Sequence, residues 1–126
     1  MPDRSKLART VLALAAICLA IGAACSSGGG GGAPFEVKGA PVHTDRVDLP
    51  KSLRFAPAVI EISTGTTVTW TNDDNLPHTV KLLDGSKVDK PLPIGGTTTI
   101  TFTKAGTIYY TCTIHPQMHA KILVTP

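Results

Sequence analysis

The stretch YYTCTIHPQMHAKILV, residues 109–124, sets a thiol, an imidazole and a thioether three residues apart, as Cys112, His115 and Met118, inside a run that otherwise reads as strand. Ile108, Tyr110 and Cys112 share one face of a period-2 pleat, so the thiol points inward at a strand's end. Pro116 breaks the strand directly after His115, because proline has no N–H to give to a ladder. Left extended at ~3.3 Å per residue, the chain would hold Cys112 and Met118 about 20 Å apart. The three side chains can meet only where this segment curls into a loop.

Upstream, the same alternation recurs. TTVTWTN (66–72) sets Val68 and Trp70 against threonines, TTTITFT (97–103) does so with Ile100 and Phe102, and TIYYTC (107–112) with Ile108, Tyr110 and Cys112. Each presents one apolar face, and β-branched residues suit a half-buried pleat. STGT, LDGS, PIGG and KAGT supply turns at strand-length intervals. Pro41, Pro50 and Pro57 confine the earlier segments to edges or bends. No apolar period of 3.6 residues outlasts a turn, and no internal repeat is visible. About eight strands in about 90 residues predict an all-β fold, a Greek-key β-sandwich with Trp70 in its core.

The N-terminus reads as a separate piece. Arg4, Lys6 and Arg9 precede VLALAAICLAIGAA, an uncharged run of 14 residues. That is short for a membrane span and fits a secretory signal peptide. The run ends in GAAC, which resembles a bacterial lipobox with Cys25 as the lipidated residue. Gly22 stands where Leu or Val is usual, so plain cleavage is the other reading. SSGGGGGAP then offers nothing to bury and serves as a flexible tether. The expected division is therefore 1–24 signal peptide, 25–34 tether and 35–126 folded domain. Of the chain's net charge of +3, the leader carries most: residues 25–126 hold nine Lys or Arg and eight Asp or Glu. The basic balance thus points to no nucleic acid.

Cysteine usage narrows the chemistry. Cys18 lies in the leader and Cys25 is the lipid candidate, which leaves Cys112 without a disulfide partner in the domain. It is an inert core thiol, a nucleophile or a metal ligand. Its company favours the last. His78, in TNDDNLPHTV, opens a strand after a loop at 72–77 and can supply a fourth donor. Two imidazoles, one thiolate and one thioether select copper, whereas thioether is a poor ligand for zinc. His43 has no partner at a ligand spacing and reads as surface. His119 reads as pointing away from the metal because alternation resumes there.

The segments FAPAVIEISTGTTVTWTNDDNLPHTV and GTTTITFTKAGTIYYTCTIHPQMHAKILV resemble cupredoxins of the plastocyanin and amicyanin type. The shared pattern is Pro-His, then some thirty residues later Tyr-x-Cys-x-x-His-x-x-Met, over most of residues 52–126. The resemblance implies a type I copper ion held by His78, Cys112, His115 and Met118. It departs at His119–Ala120, where relatives commonly carry a different residue followed by glycine, and at Thr79, where several carry an asparagine that ties two loops together. Thr79, with Thr113 opposite, is expected to make that tie, and its backbone N–H to donate to the Cys112 sulfur.

The function implied is one-electron transfer, not catalysis. Oxidases and reductases that resemble this domain need further copper histidines beside the cysteine, and here Thr111 and Thr113 flank it. A copper carrier or store is the rival reading. By the same resemblance, electrons leave through His115 inside an apolar patch, for which Leu76, Pro77, Leu92, Pro93, Ile94 and Pro116 are candidates. The expected setting is a monomeric lipoprotein on the outer side of the cytoplasmic membrane, meeting redox proteins transiently.

Overall fold

The computed structural model describes residues 33–126, so the signal peptide, Cys25 and most of the tether lie outside the described residues. Nine strands make up this part: β1 (Val42–His43), β2 (Arg46–Leu49), β3 (Val59–Ser63), β4 (Thr66–Asn72), β5 (His78–Leu82), β6 (Asp89–Leu92), β7 (Thr97–Phe102), β8 (Gly106–Thr111) and β9 (His119–Thr125). The count exceeds the expected eight by the two-residue β1. They form a six-stranded sheet, in the order β1-β3-β9-β8-β5-β6, facing a three-stranded sheet, β2-β4-β7. Parallel pairing of β3 with β9 closes the chain's end against an early strand.

Alternation explains the two layers. Val68 and Trp70 of β4, Phe102 of β7, Val80 and Leu82 of β5, Tyr110 of β8 and Ala120, Ile122 and Val124 of β9 all turn inward and are buried. Burying a Val, Leu, Ile or Phe side chain contributes about 1.5–3 kcal/mol each, so this shared core dominates stability. Trp70, wholly buried, meets Tyr110 edge-to-face with ring centroids 5.5 Å apart. The outward threonines pair across strands: Thr67 and Thr101 sit in register and their hydroxyls are 2.7 Å apart.

Breakers fall where they cost no ladder bond. Pro91 lies in β6, an edge strand of the larger sheet, where a missing N–H faces no partner. The β6–β7 turn needs its two glycines for separate reasons. Gly95 adopts φ of 69°. A Cβ on Gly96 would come within 2.8 Å of the Pro93 ring.

Candidate metal centre

Three connections meet at one end of the sandwich. β4 stops at Asn72 and β5 starts at His78; β6 stops at Leu92 and β7 starts at Thr97; β8 stops at Thr111 and β9 starts at His119. The register sets His78 beside Leu92 and Thr111 beside His119, which fixes the loop ends against one another.

The 112–118 loop closes on itself, as the sequence required. Met118 N–H donates to His115 O at 3.0 Å, and Cys112 N–H donates to Met118 O at 3.3 Å. The Thr111 hydroxyl donates to the same Met118 carbonyl at 2.8 Å. The methionine is thereby folded back against the cysteine's strand end. Both residues are buried, with 1% of their surface exposed.

The loop and the start of β5 bring three donor atoms together. Cys112 Sγ lies 3.8 Å from His78 Nδ1 and 3.8 Å from His115 Nδ1, and the two nitrogens are 3.0 Å apart. A point equidistant from three atoms so spaced is about 2.1 Å from each, close to the bond a first-row metal makes with imidazole nitrogen. One softer sulfur and two imidazoles, with a thioether in the same loop, fit copper better than any harder ion. His78 is buried and His115 half-buried, so one imidazole is sealed in the sandwich and the other approaches solvent.

The sulfur is held as expected. Thr79 N–H donates to Cys112 Sγ at 3.3 Å. The Thr79 hydroxyl accepts from Thr113 N–H at 2.8 Å and lies 2.7 Å from the Thr113 hydroxyl, so it ties the two loops as an asparagine would. Hydrogen bonds to a ligand sulfur withdraw electron density from it and tune the metal.

Two residues that the sequence did not single out complete the site. Asn72, wholly buried, donates from Nδ2 to the carbonyls of Leu76, Leu92 and Pro93 at 2.9, 3.1 and 3.1 Å, and accepts Asp74 N–H on Oδ1 at 2.9 Å. It ties the loop before His78 to the β6–β7 turn. Asp74, also buried, places Oδ2 2.9 Å from His78 Nε2. The hydrogen bond from His78 holds the Asp74 carboxyl below its usual range, although burial opposes it. A carboxylate in this place can accept a proton carried on His78 Nε2, and His78 Nδ1 lies on the side of the sulfur.

The apolar patch needs one correction. Leu92 is wholly buried, because it pairs with His78 and turns inward with it. Leu76 and Ile94 are exposed, at 39% and 61%, together with Pro77, Pro93 and Pro116. Ile114, between the cysteine and the histidine, is 50% exposed and joins them. Of the other histidines, His43 is exposed on β1, 3.8 Å from Glu61. His119 turns away from the three donors and stacks on Phe35 with centroids 3.9 Å apart and planes 6° apart.

The cupredoxin-like domain family matches residues 36–124. Amicyanin-alpha of Methylorubrum extorquens is 36% identical over 98 residues, covering 74% of this chain and 82% of that protein. Amicyanin of Paracoccus denitrificans is 35% identical over 83 residues, covering 62% and 63%. Among solved structures, a purple cupredoxin from Nitrosopumilus maritimus superimposes with a TM-score of 0.60 at 29% identity, over 64% of this chain and 98% of that one. An amicyanin variant in its Cu(I) form does so with a TM-score of 0.59 at 30% identity, over 71% and 86%.

Proposed function

The chain belongs to the cupredoxin-like domain family and is a copper electron-transfer protein binding one copper ion; on that premise we propose that His78 Nδ1, Cys112 Sγ and His115 Nδ1 are its strong ligands and Met118 its weak fourth. The observation that carries this reading is the convergence of those three atoms at ligand spacing. Bound copper supplies a one-electron couple, Cu(II)/Cu(I), at a thiolate whose proton the metal displaces. The protein's part is rigidity. Thr79, Thr113, Asn72 and Asp74 fix both loops by hydrogen bonds, so the donors have little freedom to move when the charge on the ion changes.

The finer reading concerns partners and place. The half-buried His115 is the exit for the electron, with exposed Leu76, Pro77, Ile94, Ile114 and Pro116 on the loops of the same end of the sandwich. A small, mostly apolar contact of this kind suits redox proteins that must dock and leave quickly. The domain acts as an electron carrier and not a catalyst, works as a monomer and is exported. Cys25 carries the lipid that holds it, by the tether 25–34, at the outer side of the cytoplasmic membrane. Burial of His78, Cys112 and Met118 favours retention of the ion over the handover a copper carrier needs.

Two measurements test this. The copper-loaded protein is expected to bind one ion, to be intensely coloured and to bleach reversibly with ascorbate. A colourless complex would overturn the ligand assignment. Cys25→Ser is expected to move the protein from the membrane fraction to the soluble one, and an unchanged distribution would refute the anchor.

A further inference from the structure

The two proposed imidazole ligands are held very differently, and the difference lies in their outer nitrogens. His78 Nε2 meets a buried carboxylate at 2.9 Å. Asp74 itself is fixed twice more, because Asn75 N–H donates to its Oδ1 at 2.7 Å and its own N–H donates to Asn72 Oδ1 at 2.9 Å. Asn72 is anchored in turn on the β6–β7 turn. The carboxylate therefore cannot swing away without breaking a chain of bonds that crosses two loops. Its neighbour Asp73 is exposed, and its backbone N–H donates to Leu49 O.

We propose that Asp74 is a positioning and charge-setting residue for the copper site: it locks His78 in the tautomer that offers Nδ1, and its charge favours the oxidised ion. The inference rests on the ligand assignment above. Its first half follows from the donor inventory of imidazole. A neutral ring has one N–H and one lone pair, and a carboxylate partner on Nε2 decides which nitrogen keeps the proton. Its second half follows from charge balance. With Cys112 as a thiolate, the carboxylate brings a buried assembly with Cu(II) to neutrality, whereas with Cu(I) one negative charge stays uncompensated. Low-dielectric surroundings make such an excess costly, so Asp74 opposes reduction.

The test compares Asp74→Asn, which keeps an acceptor but loses the charge, Asp74→Ala, which loses both, and Asp73→Asn as a control that removes a nearby charge without touching His78. Nitrogen-15 NMR of the histidine rings in the copper-free and Cu(I) proteins reports the tautomer directly. The wild type and Asp73→Asn should show a slowly exchanging proton on His78 Nε2; Asp74→Ala should lose that protection and mix tautomers. Competition with chelators should show Cu(II) affinity falling about 10- to 100-fold in Asp74→Ala, as for other partners of metal-bound histidines. The Cu(II)-to-Cu(I) affinity ratio should fall in Asp74→Asn as well, and each tenfold fall raises the potential by about 59 mV for one electron. Should Asp74→Ala fold poorly, Asp74→Asn and the wild-type tautomer still decide the matter. An unchanged His78 tautomer together with an affinity ratio within about twofold of the wild type in the Asp74 variants would overturn the proposal. That result is separable from failure of the ligand assignment, which would appear as wild-type protein without colour while the copper-free NMR still reports the Asp74 bond.

Discussion

The two ends of the sandwich are built on opposite principles. At the end where β4, β6 and β8 finish, side chains and carbonyls interlock across three loops: Asn72 reaches three carbonyls, Asp74 holds His78, and Thr79 grips Thr113. At the other end a cleft of about 240 Å³ opens between the sheets, lined by Leu82, Val88, Ile100, Phe102 and Ile108 and by the turn residues Asp84, Ser86 and Lys104. None of the residues lining this cleft is one of the proposed donors. An electron needs only a short, rigid route to the surface. The proposed exit, half-buried His115, lies at the interlocked end, and the open end has only to keep the sheets together.

Cys112→Ser gives the sharpest break in that contrast. A hydroxyl is a far weaker donor than a thiolate, so the charge-transfer colour should vanish completely while circular dichroism of the folded sandwich stays as it was, because the core owes little to one sulfur. Colour that survived the change would mean that the ion sits elsewhere, and the interlocked end would lose its meaning.

Asn72→Ala asks whether the interlocking is what makes that end rigid. Removing a wholly buried amide strips a donor from three carbonyls and an acceptor from Asp74 N–H. Unsatisfied buried groups cost about 1–3 kcal/mol apiece, partly relieved where water enters, so a loss of about 3 kcal/mol is expected in urea unfolding of copper-free protein. A loss below about 1 kcal/mol would show that the loops stand without this hub.

How much of the contrast was legible in the sequence depends on the range of the signal. The proposed ligand quartet stands out in the sequence because three members sit within seven residues and the fourth follows a proline at a loop's end. The sandwich could be read because threonine alternation exposes its faces over whole strands. Asp74 and Asn72 could not, since Asn-Asp-Asp-Asn reads as a solvated turn, and only the folded loop decides that Asp74 turns in while Asp73 stays out. Their one local hint is Asp74 standing four residues before His78. Leu92 was misplaced for a similar reason: an apolar residue beside two prolines looks like patch, but its pairing with His78 sends it to the core. Ile114 carries no donor atom, so nothing in the ligand spacing around it marks it as surface. Short-range chemistry is written in the chain; the direction in which a loop side chain points is settled by partners far along it.

The smallest effect is expected at the open end. Ile100 lies on β7, half-buried against the core and lining the cleft. Ile100→Val removes one methylene from a wall that already faces an open space, so it leaves no sealed void and forfeits only part of the usual burial. The expected cost is about 1 kcal/mol or less in urea unfolding, the lower part of the range for this exchange in closed cores. Colour, copper affinity and potential should not move, because no hydrogen bond of the 73–77 or 112–118 loops touches Ile100 and the β4–β7 ladder keeps its backbone bonds whatever the side chain. The comparison requires equal destabilisation in the copper-loaded and copper-free forms. A larger cost in one of them, or a shifted potential, would show that strain at the cleft reaches the donors through β4 and Asn72, and the two ends would have to be treated as one coupled unit.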